Sequence, residues 1–209
     1  MGKNIFVVGK EVKGETRIGY DYHIKDLTEE ILDNNKNISL LGLAKYGKTS
    51  LIKEVLNNIK SKTDKNKVIT LFVNLAKQET FGGLLVSILN KLKIEIKKLD
   101  DEDIKLELRE CYEDCIKLNQ ESQSFRDEFE GLFYKLAEYE IQVILAIDEF
   151  DKASDIFKSN SEYAYLRDLS GESDQNTTMI LISRRQLYMI EHKNINNSTF
   201  HKNKQQTNK

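Results

Sequence analysis

A glycine-framed loop set between an apolar run and an amphipathic helix limits what this chain can fold into more than any other stretch. Ile38-Ser39-Leu40-Leu41 is a short apolar run, and Gly42-Leu43-Ala44-Lys45-Tyr46-Gly47-Lys48-Thr49 fits the spacing G-x-x-x-x-G-K-[ST] without a mismatch. From Lys48 onward the period changes, and Leu51, Ile52, Val55, Leu56 and Ile59 recur on one helical face. Strand, loop and helix in that order are the context in which such a loop binds phosphate. Backbone N–H groups turn inward and, with the helix N-terminus behind them, hold phosphate oxygens. Glycines at 42 and 47 allow backbone angles and a close approach that a Cβ would obstruct. Leu43, Ala44, Lys45, Tyr46 and Ser50 complete the expected cradle. Lys48 is placed to reach the outer phosphates, and the Thr49 hydroxyl to ligate Mg²⁺. The plain alternative is a glycine turn capped by a lysine-rich helix.

The chain has 209 residues, which suits one α/β domain with an appendage. Its apolar residues cluster into periodic runs, so a folded core is expected despite a charged fraction of 32%. Basic and acidic residues number 32 and 34, so no global field recruits nucleic acid or an anionic membrane. No run approaches the roughly 18–20 apolar residues that cross a bilayer. Met1 to Gly9 carries too short an apolar run for a signal peptide. With only two cysteines, a reducing cytosol is the expected setting.

Before the loop, Ile5 to Val8 reads as a short extended segment, and Ile24, Leu27, Ile31 and Leu32 give one helix face. After it, Val68 to Leu75 is a continuous β-prone run, which suggests a strand covered on both faces. Three helical stripes follow, from Phe81, from Ile104 and from Phe125, where a minimal crossover needs one. Cys111 and Cys115 share a helix face and complete its apolar seam. A metal would need further ligands, and the histidines at 23, 192 and 201 are distant in sequence, so core packing is the favoured reading.

Ile141 to Ile147 is a second long apolar run, leading into Asp148-Glu149-Phe150-Asp151. A strand ending in adjacent acids resembles the Walker B element of the additional-strand class of P-loop NTPases. At a strand's C-terminal end, Asp148 would hold Mg²⁺ and Glu149 would polarise an attacking water. An ordinary acidic turn is the alternative. Asp151 reads as a helix cap or surface charge. Tyr163 to Leu169 is a short helix, and Gly171 to Asn176 a turn-rich loop. Thr177 to Ile182 is then a strand running into Ser183-Arg184-Arg185. A hydroxyl and a cation there can sense the γ-phosphate, with Arg184 in that role and Arg185 as the alternate. Two surface arginines are the competing reading. Past His192 the chain is rich in Asn, Lys and Gln and is expected to be a disordered tail over 193–209.

Together the three pieces resemble the AAA+/STAND branch of P-loop ATPases, particularly its prokaryotic ATP-binding proteins, over about residues 5 to 192. The resemblance implies a three-layer α/β core over 35–192 with a mainly parallel sheet ordered 5-1-4-3-2. A helical insertion at about 81–139 would precede the Walker B strand. Residues 1–34 would flank the nucleotide. In such relatives a phenylalanine-x-glycine-arginine box wraps the adenine, and the nearest match is Arg17-Ile18-Gly19-Tyr20, with Tyr20 in the place of arginine. No fifth strand follows Ile190, and the helical lid and winged helix usual in the family are not found. The first strand would then have an open edge, covered either by Ile5–Val8 or by another polypeptide. A truncated gene product is the competing explanation.

The leading expectation is a cytoplasmic Mg-ATP-binding ATPase that acts as a nucleotide switch, with ATP/ADP as ligands. A second copy or a separate protein would supply the lid and sensor functions, and neither nucleic acid nor membrane is an expected partner. The alternatives are a nucleotide-stabilised scaffold with little turnover and an origin-recognition-like DNA-binding ATPase.

Overall fold

Four apolar runs become the four strands of one parallel sheet: β1 (Ile38–Leu41), β2 (Val68–Asn74), β3 (Gln142–Asp148) and β4 (Thr177–Ser183). Their order is β1-β4-β3-β2, as the resemblance implies for strands one to four. The structure is a computed structural model and describes residues 21–34, 36–171 and 176–192. Ala146 sits opposite Phe72 on one side and Ile180 on the other, so β3 and β4 form the middle of the sheet. Both are buried along their whole length. That explains why they read as continuous apolar runs: with both faces covered, no position is left for an alternating polar residue.

Odd and even positions feed two different cores. Val143, Leu145 and Ile147 point into one, while Ile144 and Ala146 point into the other. Helices α1 (Asp21–Asn34) and α2 (Lys48–Lys62) close the second face with Ile24, Ile31, Ile52, Val55 and Ile59. On the first face lie α3 (Phe81–Ile96), α4 (Glu102–Lys117) and α5 (Gln123–Glu138). Short α6 (Ala153–Ile156), α7 (Asn160–Gly171) and α8 (Leu187–His192) complete that layer. The fold is therefore the expected three-layer α/β architecture with a helical insertion before β3.

Each insertion helix starts at a side-chain cap. The Thr80 hydroxyl accepts from the Gly83 N–H, Asp101 from Asp103 and Ile104, and Ser122 from Phe125. Such caps contribute about 1 kcal/mol each. Phe81, Phe125, Phe129 and Phe133 are fully buried beneath the insertion, with the last two rings stacked at 4.9 Å. Each such burial is worth roughly 1.5–3 kcal/mol. Cys115 is part of this core and Cys111 packs against it. Burial pushes the Cys115 thiol up to about 12, which removes its thiolate chemistry at neutral pH.

β2 stops one residue earlier than the apolar run suggests. The Asn74 side chain accepts from the Ala76 N–H and turns Leu75 into a 3₁₀ turn. Among the described residues nothing pairs with the outer edge of β1, whose residues alternate between half-buried and exposed. Ile5–Val8, Arg17 to Tyr20 and the tail beyond His192 lie outside the described residues. No helix among the described residues is long and apolar enough to cross a membrane.

Candidate functional site

The loop leaves β1 at Gly42, whose N–H donates to the Ser183 carbonyl at 3.3 Å, so the ends of β1 and β4 are tied where the loop begins. Gly47 takes φ 77°, in the left-handed region, immediately before α2. Lys45 also takes a left-handed φ, of 69°. A Cβ at Gly42 would meet the Lys48 stem at 3.4 Å, so the lysine lies along that glycine. The Lys48 ammonium donates to the carbonyls of Gly42 (2.6 Å) and Leu43 (2.9 Å), which stretches it across its own loop. Leu43, Ala44, Lys45 and Tyr46 are exposed around it.

The decisive contact joins the first turn of α2 to the end of β3. The Thr49 hydroxyl, one residue into α2, donates to Asp148 Oδ2 at 2.8 Å. Asp148 is the last residue of β3 and is buried; its other oxygen accepts from the Glu149 N–H at 2.9 Å. Two hard oxygen donors side by side suit Mg²⁺, which takes one or two protein ligands and fills its octahedron with waters and phosphate oxygens. Among the described residues no group of three or more His, Cys, Asp or Glu forms a dedicated metal cage. Thr49 and Asp148 thus fit a magnesium ion shared with a phosphate ligand.

Glu149 follows with φ 55° and ψ 40°, a left-handed backbone on a residue with a Cβ. Its carboxylate is partly open and lies 3.5 Å from an Arg184 terminal nitrogen. Lys48, Thr49, Asp148, Glu149 and Arg184 are in this way linked around the C-terminal ends of β1, β3 and β4. Ser183 is buried and its hydroxyl donates to the Arg185 carbonyl at 2.7 Å, so its side chain shapes the turn after β4. Ser50 is half-buried and lines a groove of about 390 Å³ running between α2, β2 and α3, with Lys53, Thr70 and Phe72. Ser50 is the groove's sole member of the candidate set.

Asp151 departs from expectation. It is neither a helix cap nor a surface charge: it is 3% exposed and accepts from the backbone N–H groups of Arg184 (2.8 Å) and Arg185 (3.1 Å). Both guanidinium groups also reach it through Nε, at 3.4 and 3.2 Å. Burial works against its ionisation, yet the N–H of Arg184 and the two arginine side chains outweigh that and hold its carboxyl below the usual range. The arginines are accordingly not loose surface charges. Asp151 is the middle residue of the 3₁₀ turn Phe150–Lys152, which follows directly on Asp148 and Glu149 and carries it back toward the strand ends.

A family model described as AAA domain matches residues 31–190. The chain belongs to the AAA domain family. No curated protein sequence matches it. Among solved structures, this AAA domain is similar to the ORC2 protein of Aeropyrum pernix in its ADPNP-ADP complexes. There the identity is 10% and the TM-score 0.59, over 91% of this chain and 48% of that one. It is also similar to the A. pernix ORC1 protein in complex with DNA, at 16% identity and TM-score 0.54, over 87% and 42%. Cdc6p from Pyrobaculum aerophilum gives 14% identity and TM-score 0.52, over 88% and 42%. At these identities the likeness shows the fold, that of a P-loop AAA-type ATPase. The chain spans less than half the length of these structures. Because one of them is bound to DNA, the expectation that nucleic acid is not a partner draws no support from the comparison.

Proposed function

We propose that this AAA domain binds Mg-ATP and hydrolyses it to ADP and phosphate as a nucleotide switch. The observation that carries the reading is the Thr49–Asp148 contact at 2.8 Å beneath a loop whose lysine already spans it. In this reading the loop N–H groups and Lys48 neutralise the β- and γ-phosphates, and Thr49 with Asp148 positions Mg²⁺. An ion held by Thr49 and Asp148 would supply positive charge to offset the charge that builds up on the phosphate oxygens. Glu149 orients a water for in-line attack and accepts its proton, and Arg184 meets the γ-phosphate.

A switch needs two states with different affinity for a partner. The outer edge of β1, with which nothing pairs among the described residues, is a candidate place for assembly, with a second copy or another protein against it. Resemblance to the STAND branch supports a role in signalling or defence. Steady-state phosphate release by wild type and Glu149→Gln is the test. Loss of the base should lower the rate roughly 100-fold while ATP binding persists. Equal background rates in the two proteins, with ATP bound by both, would replace the enzyme with a nucleotide-stabilised scaffold. A DNA-linked ATPase is the second reading, favoured by the likeness to ORC and Cdc6 structures. ATP-dependent retardation of duplex DNA checks it.

A further inference from the structure

We infer that Asp151 is the positioning residue that sets Arg184 beside Glu149, by gripping the arginine at its backbone N–H and at its guanidinium. The inference rests on the reading of Arg184 as the group that meets the γ-phosphate. Arg184 and Arg185 follow the same strand end and carry the same charge, but their hydrogen bonds divide the work. Arg185 gives Nε to the Asp151 carboxylate at 3.2 Å and Nη2 to the Asp151 carbonyl at 2.9 Å and the Ser154 hydroxyl at 3.3 Å. Its fork is committed to the turn.

Of its side chain, Arg184 gives only Nε to Asp151, at 3.4 Å, and keeps a terminal nitrogen 3.5 Å from Glu149 Oε2. One buried carboxylate therefore fixes where both arginines leave the strand, and directs a single one of them to the glutamate. Lacking Asp151, the N–H of Arg184 would lose its acceptor and the side chain would lose the anchor that holds it inward. Removing one partner of such a buried charged set leaves the remaining groups unsatisfied rather than merely weaker. Asp151 touches neither Thr49 nor Asp148 in the hydrogen bonds of the site, so it acts on the phosphate end through Arg184 and not through the metal pair.

The test is the ratio of affinities for a non-hydrolysable triphosphate analogue and for ADP, both with Mg²⁺. It is measured in wild type, Asp151→Asn, Arg184→Ala and the double variant, with Lys48→Ala as the control for the loop. Wild type should prefer the triphosphate. Asp151→Asn should cut that preference about tenfold, leaving ADP affinity within about twofold, because only the γ-phosphate contact is misplaced. The double variant should match Arg184→Ala alone, since one residue works through the other. An unchanged ratio in Asp151→Asn, a parallel loss of ADP, or independent effects in the double variant would overturn the inference while leaving the nucleotide reading intact. Should Asp151→Asn not fold, Asp151→Glu displaces the carboxylate by one methylene; the same selective loss is expected, and an unchanged ratio overturns the inference. Nucleotide binding that survives Lys48→Ala, or no binding by wild type, would instead remove the proposed function and this inference with it.

Discussion

Glu149 sits where β3 must turn at once into a 3₁₀ turn, and it does so in the left-handed region at φ 55°, ψ 40°. A residue with a Cβ is strained there by about 1 kcal/mol. Glycine would relieve the strain, so the presence of glutamate fits a site that keeps a functional side chain at a cost in stability. Glu149→Gly should therefore be more stable than Glu149→Ala by about 1 kcal/mol, although both lack the carboxylate. For a chain of this size that corresponds to a melting-temperature gap of about 2–4 °C, read by calorimetry. Equal melting temperatures would show that the turn is not strained. At this scale the sequence was legible where spacing dictates local geometry: Gly47 takes the left-handed backbone, Lys48 lies across its loop and Thr49 meets Asp148. It was not legible for Asp151, because a carboxylate's partners depend on a 3₁₀ turn meeting the end of a strand more than thirty residues away.

The amphipathic helices were readable from their stripes, since a 3.6-residue period survives any tertiary arrangement. Their close contacts were not. The sequence gives no sign of what Gly82 in α3 and Gly131 in α5 pack against, and their surroundings differ. A Cβ at Gly82 would lie 2.6 Å from the Gln120 carbonyl oxygen in the α4–α5 connection, whereas one at Gly131 meets nothing within 4 Å. Gly82→Ala should cost about 1–3 kcal/mol, because backbone has to shift. Gly131→Ala should add about 0.5–1 kcal/mol by restricting the unfolded chain in an exposed helix interior. Denaturant midpoints of the two variants should move in opposite directions. Element ends were the weakest part of the sequence reading: Asn74 closes β2 with its own side chain, and hydrophobicity carries no sign of that.

For the whole molecule, the strand order followed from the resemblance, and apolar runs buried on both faces made β3 and β4 visible. Among the described residues nothing pairs with the outer edge of β1, and what covers it is not written in their pattern, because edge pairing depends on whatever segment is offered to it. The molecule nonetheless brings Lys48, Thr49, Asp148, Glu149 and Arg184 to one rim of the sheet. Titration calorimetry of ATP into the full chain, with and without Mg²⁺, for wild type and Lys48→Ala, tests that convergence most directly. Wild type should bind ATP with Mg²⁺ and lose at least about tenfold in affinity when either the ion or the lysine is removed. Binding that is indifferent to both, or no binding at all, would contradict the placement of a triphosphate at this rim.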